Sequence, residues 1–397
     1  MDTRSIQIKS VLTLKEIYGP GHIFNPRTSF QQLGWFPEDH ASIDFMTGRE
    51  LVVAGDMPVL CSQAVTTDVV INLLKEAGLE PASERYVYST AGEYREILRN
   101  LSKGNEKVVL QFPHPAGELN EKSYSIQPEL LAYLNNKASI DQLVPEENRP
   151  FRSVITRLSE IPHPLPIVIK VATGQPASGG VGVVICRTEE DLRYACQLFK
   201  DAESVVVEEF LPIVRNYCVQ FVVTAKGKIL YIGSSEQIVD ERGRYMGNWI
   251  DHREVPEEVI LTGRKIIERA KVLGYVGVAG FDIVITQEGD CYVLDLNFRL
   301  NGSSAALLLR DRIEEVYGAK RMCLHFFWNI QCDFDRLIRV VRQKMEEGRL
   351  IPLSIYDPNA SPYRDAPGYL SGLLLGDSRK DVDHLNEQLI QEGISVY

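Results

Sequence analysis

The chain has 397 residues, 44% of them hydrophobic, with a net charge of −11 and an isoelectric point near 5.3. Such a length buries a large core and divides into about two or three domains. The acidic balance excludes a nucleic-acid or anionic-membrane surface, which needs a basic footprint, and leaves room only for a local basic pocket. No stretch approaches the roughly 20 uninterrupted apolar residues of a membrane span, and Met1-Asp2-Thr3-Arg4 leads into no signal-peptide apolar core, so a cytoplasmic protein is expected. The seven cysteines are scattered, with no Cys-x-x-Cys spacing, which fits reduced thiols in a core.

Turn signals crowd the first fifty residues, at Tyr18-Gly19-Pro20-Gly21 and Asn25-Pro26-Arg27, before an aromatic anchor at Gly34-Trp35-Phe36-Pro37. From there the pattern predicts a buried strand over 51–54, a helix over 67–77, a strand over 86–88, a helix over 91–101 and a strand over 107–112. Strands alternating with helices make a small parallel sheet. Gly55-Asp56-Met57-Pro58 lacks both the dinucleotide fingerprint and a Walker lysine, so no free-standing nucleotide site is expected there. Loops at the carboxyl end of the sheet can still reach a substrate.

A helical segment spans 128–143, and Pro145 and Pro150 mark a new unit with strands over 153–158 and 167–171. The second strand carries Lys170 into Thr173-Gly174-Gln175-Pro176-Ala177-Ser178-Gly179-Gly180-Val181-Gly182-Val183. Glycines there let backbone N–H groups approach phosphate oxygens, Ser178 adds a hydroxyl and Lys170 a positive charge, although a plain hairpin turn explains the loop equally well. A helix over 189–199 precedes a buried strand that runs into Glu208-Glu209-Phe210-Leu211. That is the form of a hinge that reads adenine with its backbone and takes an amine or hydroxyl with an acid; ordinary strand-end charges are the alternative. A hairpin around Ala225-Lys226-Gly227 follows. The polar stretch 233–252 is expected to be an insertion or lid, with Arg242 or Arg244 able to hold a carboxylate, or else a solvated loop.

Apolar alternation around Asp282, a turn at Gln287-Glu288-Gly289-Asp290 and alternation over 291–296 predict a second hairpin. Asp295 and Asn297 are two apart and share one face, which Asp282 reaches from the partner strand. Oxygen donors without nearby His or Cys favour magnesium, whose remaining positions go to water and phosphate oxygens. Arg299 brings positive charge to where a phosphoryl group would lie. Strand-end capping is the alternative for Asp295 and Asn297. The C-terminal part is predicted as a helix through 323–328, a helix over 333–347, strands over 350–356 and 368–376 and a last helix over 378–392.

In this order (strand lysine, Gly-rich loop, strand into Glu-Glu-Phe-Leu, hairpin, then Asp-x-Asn-x-Arg) the elements resemble the ATP-grasp superfamily over about residues 130–309. The resemblance implies an α/β chain with an N-terminal pre-ATP-grasp parallel α/β domain (1–127), the ATP-grasp small (128–211) and catalytic (212–330) subdomains, and a small C-terminal α/β appendage (331–397). It implies ATP and Mg2+ as cofactors. Lys137 and Lys170 would lie on the nucleotide phosphates, Ser178, Gly179, Gly180 and Val181 would close over them, and Glu208, Glu209, Phe210 and Leu211 would form the hinge. Asp282, Asp295 and Asn297 would hold the metal, with Asp295 where the family more often has Glu. Arg215 and Asn216 stand where the ribose acid is usual. Catalysis would rest on Arg299 and Lys170, and the carboxylate site on Arg299, Asn301, Gly302 and Ser303, the last three at a helix N-terminus that suits an anion or simple capping. The implied chemistry is an acyl phosphate formed with ADP release and then attacked by an amine or a carrier-protein thiol. The tail resembles ligases of peptide-antibiotic and butirosin-type aminoglycoside side-chain biosynthesis, implying a glutamate–acyl carrier protein ligase, with a peptide ligase as alternative. Partners would be an amino-acid or peptide carboxylate, an acyl carrier protein and, as often in the superfamily, a second copy in a homodimer. A non-catalytic ATP-binding regulatory protein is the alternative of another class; the complete lysine, metal and arginine set favours the enzyme.

Overall fold

Turn residues at Gly21 and Pro26 hide a four-residue strand between them, and it proves central to the first sheet. The computed structural model describes residues 7–161, 164–177, 180–240, 243–250, 255–318 and 320–396. β1 (His22–Asn25), β2 (Val59–Ser62), β3 (Arg85–Tyr88) and β4 (Lys107–Leu110) form a parallel sheet in the order β3-β2-β1-β4. The run 51–54, expected as a strand, is instead a buried 3-10 turn at Leu51–Val53. Four apolar residues fit either conformation, and tertiary packing decides. The helix Ala91–Leu101 starts where Thr90 and Glu93 form a reciprocal capping box, and it buries Tyr94, Leu98 and Leu101 against this sheet.

β5 (Arg152–Ile155), β6 (Ile167–Val171), β7 (Val183–Cys186) and β8 (Val205–Glu209) make a small antiparallel sheet in the order β5-β8-β6-β7, backed by the helix Glu189–Leu198. The aromatic anchor docks here: the Trp35 amide donates to the Pro176 carbonyl at 2.9 Å and its ring packs on Phe199.

The largest sheet is antiparallel and nine-stranded. Its strands are β9 (Ile213–Val223), β10 (Ile229–Val239), β11 (Tyr245–Ile250), β12 (Gly277–Thr286), β13 (Cys291–Asn297), β14 (Arg321–Ile330), β15 (Leu350–Tyr356), β16 (Gly368–Gly376) and β17 (Ile394–Val396). The order is β13-β12-β9-β10-β11-β14-β16-β15, with β17 on β14. Two expectations are corrected here. The polar stretch 233–252 is not a loop in its described part, because Ser235, Gln237 and Asn248 are polar residues of β10 and β11. The helix expected through 323–328 is β14, paired with β16 along one edge and with β11 and then β17 along the other. A strand with both edges paired and both faces covered reads as an unbroken apolar run, without alternation to betray it. β11 to β14 pairing thereby joins the C-terminal residues to the sheet that carries Asp282 and Asp295.

Candidate functional site

The site is built where β12 and β13 pair. Asp282 stands directly opposite Asp295 and Gly280 opposite Asn297, so two carboxylates and an amide gather on neighbouring strands. A register shift after Asp282 sets Ile283 opposite Val293, and the skipped residue is Leu294. Its carbonyl accepts the Lys170 Nζ at 2.8 Å, so the bulge aims the lysine of the small sheet at the acid pair. Lys170 also meets Glu208 Oε2 at 2.5 Å, and Lys137 Nζ meets Asp295 Oδ1 at 2.8 Å.

Electrostatics separate the two aspartates. Burial, and then the neighbouring Asp295 charge, pushes the Asp282 carboxyl up to about 7. Burial acts the same way on Asp295, but the ammonium of Lys137, with Lys170 and Arg299 behind it, holds that carboxyl below its usual value. Two like charges on facing strands are costly when alone and favourable around a divalent cation. Gln237 donates to Asp282 Oδ1 at 2.7 Å and accepts from Asn216 at 3.0 Å, which fixes the orientation of the acid.

These residues line a cavity of about 290 Å³ between the small and large sheets. Its hinge end is formed by Glu208, Glu209, Phe210, Leu211 and Asn216, and its far end by Arg299, Asn301, Gly302 and Ser303; Lys137, Lys170, Gly180, Val181, Asp282, Asp295 and Asn297 lie between. Asn216 Oδ1 is a buried acceptor without a hydrogen bond, while Glu208 Oε1 lies 3.5 Å from the buried Arg152 Nη2. Gly180 has a φ of +85°, and a Cβ there would lie 3.1 Å from the Gly243 carbonyl oxygen, so the loop closes on the β10–β11 turn only with glycine. A larger open cleft of about 780 Å³, between residues 113–129 and 171–175, is lined by neither aspartate.

Not every candidate from the sequence lies here. Ser178, Gly179 and Arg242 fall outside the described residues. Arg244 turns to the surface and pairs with Asp240 at 2.6 Å, and it does not line the cavity. Ser303 stands at the N-cap of the helix Ser304–Tyr317, as expected, but its side chain makes no capping bond: Gln220 donates to Ser303 Oγ at 2.8 Å and accepts from Ser304 Oγ at 2.7 Å, while Ser304 Oγ takes the Asn301 amide at 2.6 Å. Ser235 and Asn248 extend this buried network and stiffen the floor of the far end.

Sequence reasoning missed Met46, Arg49, Gln111, Phe112, Cys218, Gln237, Tyr245 and Asn248, all of which line the cavity. Gln111 and Phe112 follow β4 directly, where the carboxyl-end rule for parallel sheets pointed. The alternation of Ser235 and Gln237 was the available signal for β10.

The fold is of the ATP-grasp kind, with a charged cavity between its small and large sheets. Two family models match, one described as "L-aspartate--L-methionine ligase, ATP grasp" over residues 151–297 and the other as "L-aspartate--L-methionine ligase N-terminal domain" over residues 13–132. Residues 151–297 thus match an ATP-grasp ligase model, and the fold of the chain is that of ATP-grasp proteins. It is 21% identical over 270 residues to a mitochondrial propionyl-CoA carboxylase alpha chain of Caenorhabditis briggsae, a match covering 66% of this chain and 35% of that protein. The chain thus spans about a third of that curated relative. Among solved structures, an N5-carboxyaminoimidazole synthetase from Staphylococcus aureus complexed with ADP superposes with a TM-score of 0.58 at 13% identity, covering 96% of this chain and 99% of that one. An L-amino acid ligase from Bacillus licheniformis superposes with a TM-score of 0.54 at 14% identity, covering 95% and 98%. At such identities the likeness is one of fold. ATP-grasp ligases use ATP and Mg2+, and the donor set here, two carboxylates and an amide with two lysines and an arginine around them, fits both. No helix among the described residues is long and apolar enough to cross a membrane.

Proposed function

We propose that the protein joins two amino acids, activating the carboxylate of one as an acyl phosphate and coupling it to the amine of the other. The observation that carries this reading is the Asp282–Asp295 pair facing Arg299, with Lys137 and Lys170 around one cavity. In this reading Asp282, Asp295 and Asn297 hold magnesium, which supplies charge neutralisation on the transferring phosphoryl group. Lys170 and Lys137 neutralise nucleotide phosphates, and the loop at Gly180–Val181 covers them. Glu208 to Leu211 and Asn216 bind the nucleoside.

Arg299 lies against the Phe112 ring with its guanidinium 5.5 Å from the ring centre, and it donates to the Ala177 carbonyl at 3.3 Å. So held, it faces the carboxylate that becomes phosphorylated. A carboxylate oxygen takes the γ-phosphoryl group as ADP leaves. The amine nitrogen then bonds to the carbonyl carbon, inorganic phosphate departs, and the amine proton passes to phosphate or solvent. Positioning and charge suffice, and no nucleophilic side chain of the protein is needed.

An amine acceptor is favoured over the carrier-protein thiol and the antibiotic side-chain pathways of the sequence resemblance, because the matching family models carry the names of two amino acids. Aspartate and methionine are therefore the first pair to test. A hydroxylamine trap tests the chemistry: protein, magnesium-ATP and pooled amino acids, with ADP and hydroxamates followed by mass spectrometry. A hydroxamate formed with ADP is expected, and its mass names the activated acid. A folded, ATP-binding preparation that yields neither ADP nor product with the pool or with aspartate and methionine would sink the ligase reading in favour of a non-catalytic ATP-binding protein.

A further inference from the structure

Beyond the acids, lysines and Arg299 of the motif, the cavity receives a second guanidinium from a different part of the chain. Arg49 belongs to the N-terminal domain, between the short helical turn Met46–Gly48 and the turn Leu51–Val53. It lines the cavity at the end shared by Arg299, Tyr245 and Gly302, with its side chain 10% exposed. Its Nη2 lies 3.3 Å from Glu50 and its Nε donates to the Met46 carbonyl at 3.5 Å.

Two guanidiniums face one cavity. Arg49 and Arg299 both line it, one from the N-terminal domain and one from the exit of β13. Glu50 meets one edge of Arg49, and the planar fork of a guanidinium has further N–H groups that match a second carboxylate.

The proposed reaction brings two carboxylates to this end. One is activated, and Arg299 serves it. The other is the α-carboxylate of the amine-donating amino acid, attached to the same carbon as the nucleophilic nitrogen, so it must be buried close to the reacting carbonyl. A carboxylate desolvated beside a reaction centre needs its own counter-charge. Met46, from the same turn, gives an apolar wall next to it.

We propose that Arg49 forms an anion subsite that holds the free α-carboxylate of the amine-donating amino acid, so that the N-terminal domain selects an amino acid as acceptor. The inference rests on the amino-acid ligase reading for the nature of its ligand, but it can be tested by binding alone. Common L-amino acids and their α-amides, methionine and methioninamide among them, are titrated into the full chain with magnesium-ADP by calorimetry, for wild type, Arg49→Gln and Arg49→Lys. Turnover is measured in parallel.

Wild type should prefer the acid to its amide by about 10- to 100-fold, the worth of one charge-assisted hydrogen bond. Arg49→Gln should lose that preference while ATP affinity stays unchanged, and Arg49→Lys should restore part of it. A Gln variant that binds acid and amide as wild type does overturns the subsite. So does a wild type that binds no member of the panel or does not distinguish acid from amide. If the binding pattern holds but no product or ADP forms, the ligase reading fails and the Arg49 subsite stands.

Discussion

Two clusters of charge can be set side by side. In the N-terminal domain Arg27 and Asp44 pair at 2.7 Å with both side chains wholly buried. Asp44 accepts from Tyr88 at 2.7 Å and from Tyr363 at 3.1 Å, and Arg27 donates to the Thr28 carbonyl at 2.9 Å under the ring of Phe30. One charge meets its opposite, and phenols fill the remaining positions. The cluster around Asp282, Asp295, Lys137 and Arg299 is half-buried, its members surround a cavity, and two acids stand opposite each other. Burial of charge does not itself mark function. A balanced pair closed by its neighbours is architecture, whereas like charges facing a cavity are waiting for a ligand.

The contrast breaks in opposite directions when each cluster loses an acid. Asp44→Ala leaves Arg27 buried without its counter-charge and strips two tyrosines of their acceptor. The expected cost is about 3–5 kcal/mol of folding stability, read from urea or thermal unfolding, with ATP affinity of the remaining folded protein unchanged. Asp295→Ala should do the reverse. It removes a proposed metal ligand and one of two repelling acids, so ADP formation should fall by about 100- to 1,000-fold while the unfolding midpoint stays within a few degrees. Near-normal turnover in a well-folded Asp295→Ala would remove the metal assignment.

Lys170→Ala sharpens the comparison, because Lys170 belongs to both kinds of interaction: an ion pair with Glu208 and a contact across the bulge at Leu294. A phosphate role predicts a loss of ATP affinity of about 10-fold or more, from one missing charged contact. Unchanged affinity with lowered stability would move Lys170 into the architectural class with Arg27.

How far this distinction could be read from the sequence follows from separation along the chain. Asp282, Asp295, Asn297 and Arg299 lie within one hairpin and its exit, where period-two alternation puts them on one face. Lys170 and Glu208 were legible because each sits at the end of an apolar strand. Arg49 carries no local pattern, and only the packing of the turns around it brings it to the cavity, whereas Gln111 follows β4 at the carboxyl end of the parallel sheet. β14 was misread because a strand covered on both sides loses its alternation. The second half of β10, and β11, were read as a polar insertion, lid or loop because the residues facing the cavity and its floor, Ser235, Gln237 and Asn248, are polar where a strand against a dry core would be apolar. Function altered the pattern that would have revealed the structure.

The smallest expected effect comes from a buried titratable group outside both clusters. His325 on β14 stacks on Trp328 with ring centres 4.6 Å apart, and its Nε2 lies 3.6 Å from the Cys323 sulfur. Burial lowers its imidazole from the ordinary 6.5 to about 4. The folded chain therefore binds this proton less readily than the unfolded chain. Between pH 6.5 and 4 the unfolded state carries more protons at this site, so the contribution of His325 to stability is complete above that window, falls as the pH drops through it and is constant below it. His325→Gln should flatten this part of the stability profile, measured by urea unfolding at several pH values, while ATP affinity at neutral pH remains that of wild type. A mutant profile as steep as the native one would assign the acid sensitivity elsewhere. A changed ATP affinity would instead mean that the C-terminal strands and the hairpin of Asp282 and Asp295, continuous in one sheet, are energetically coupled.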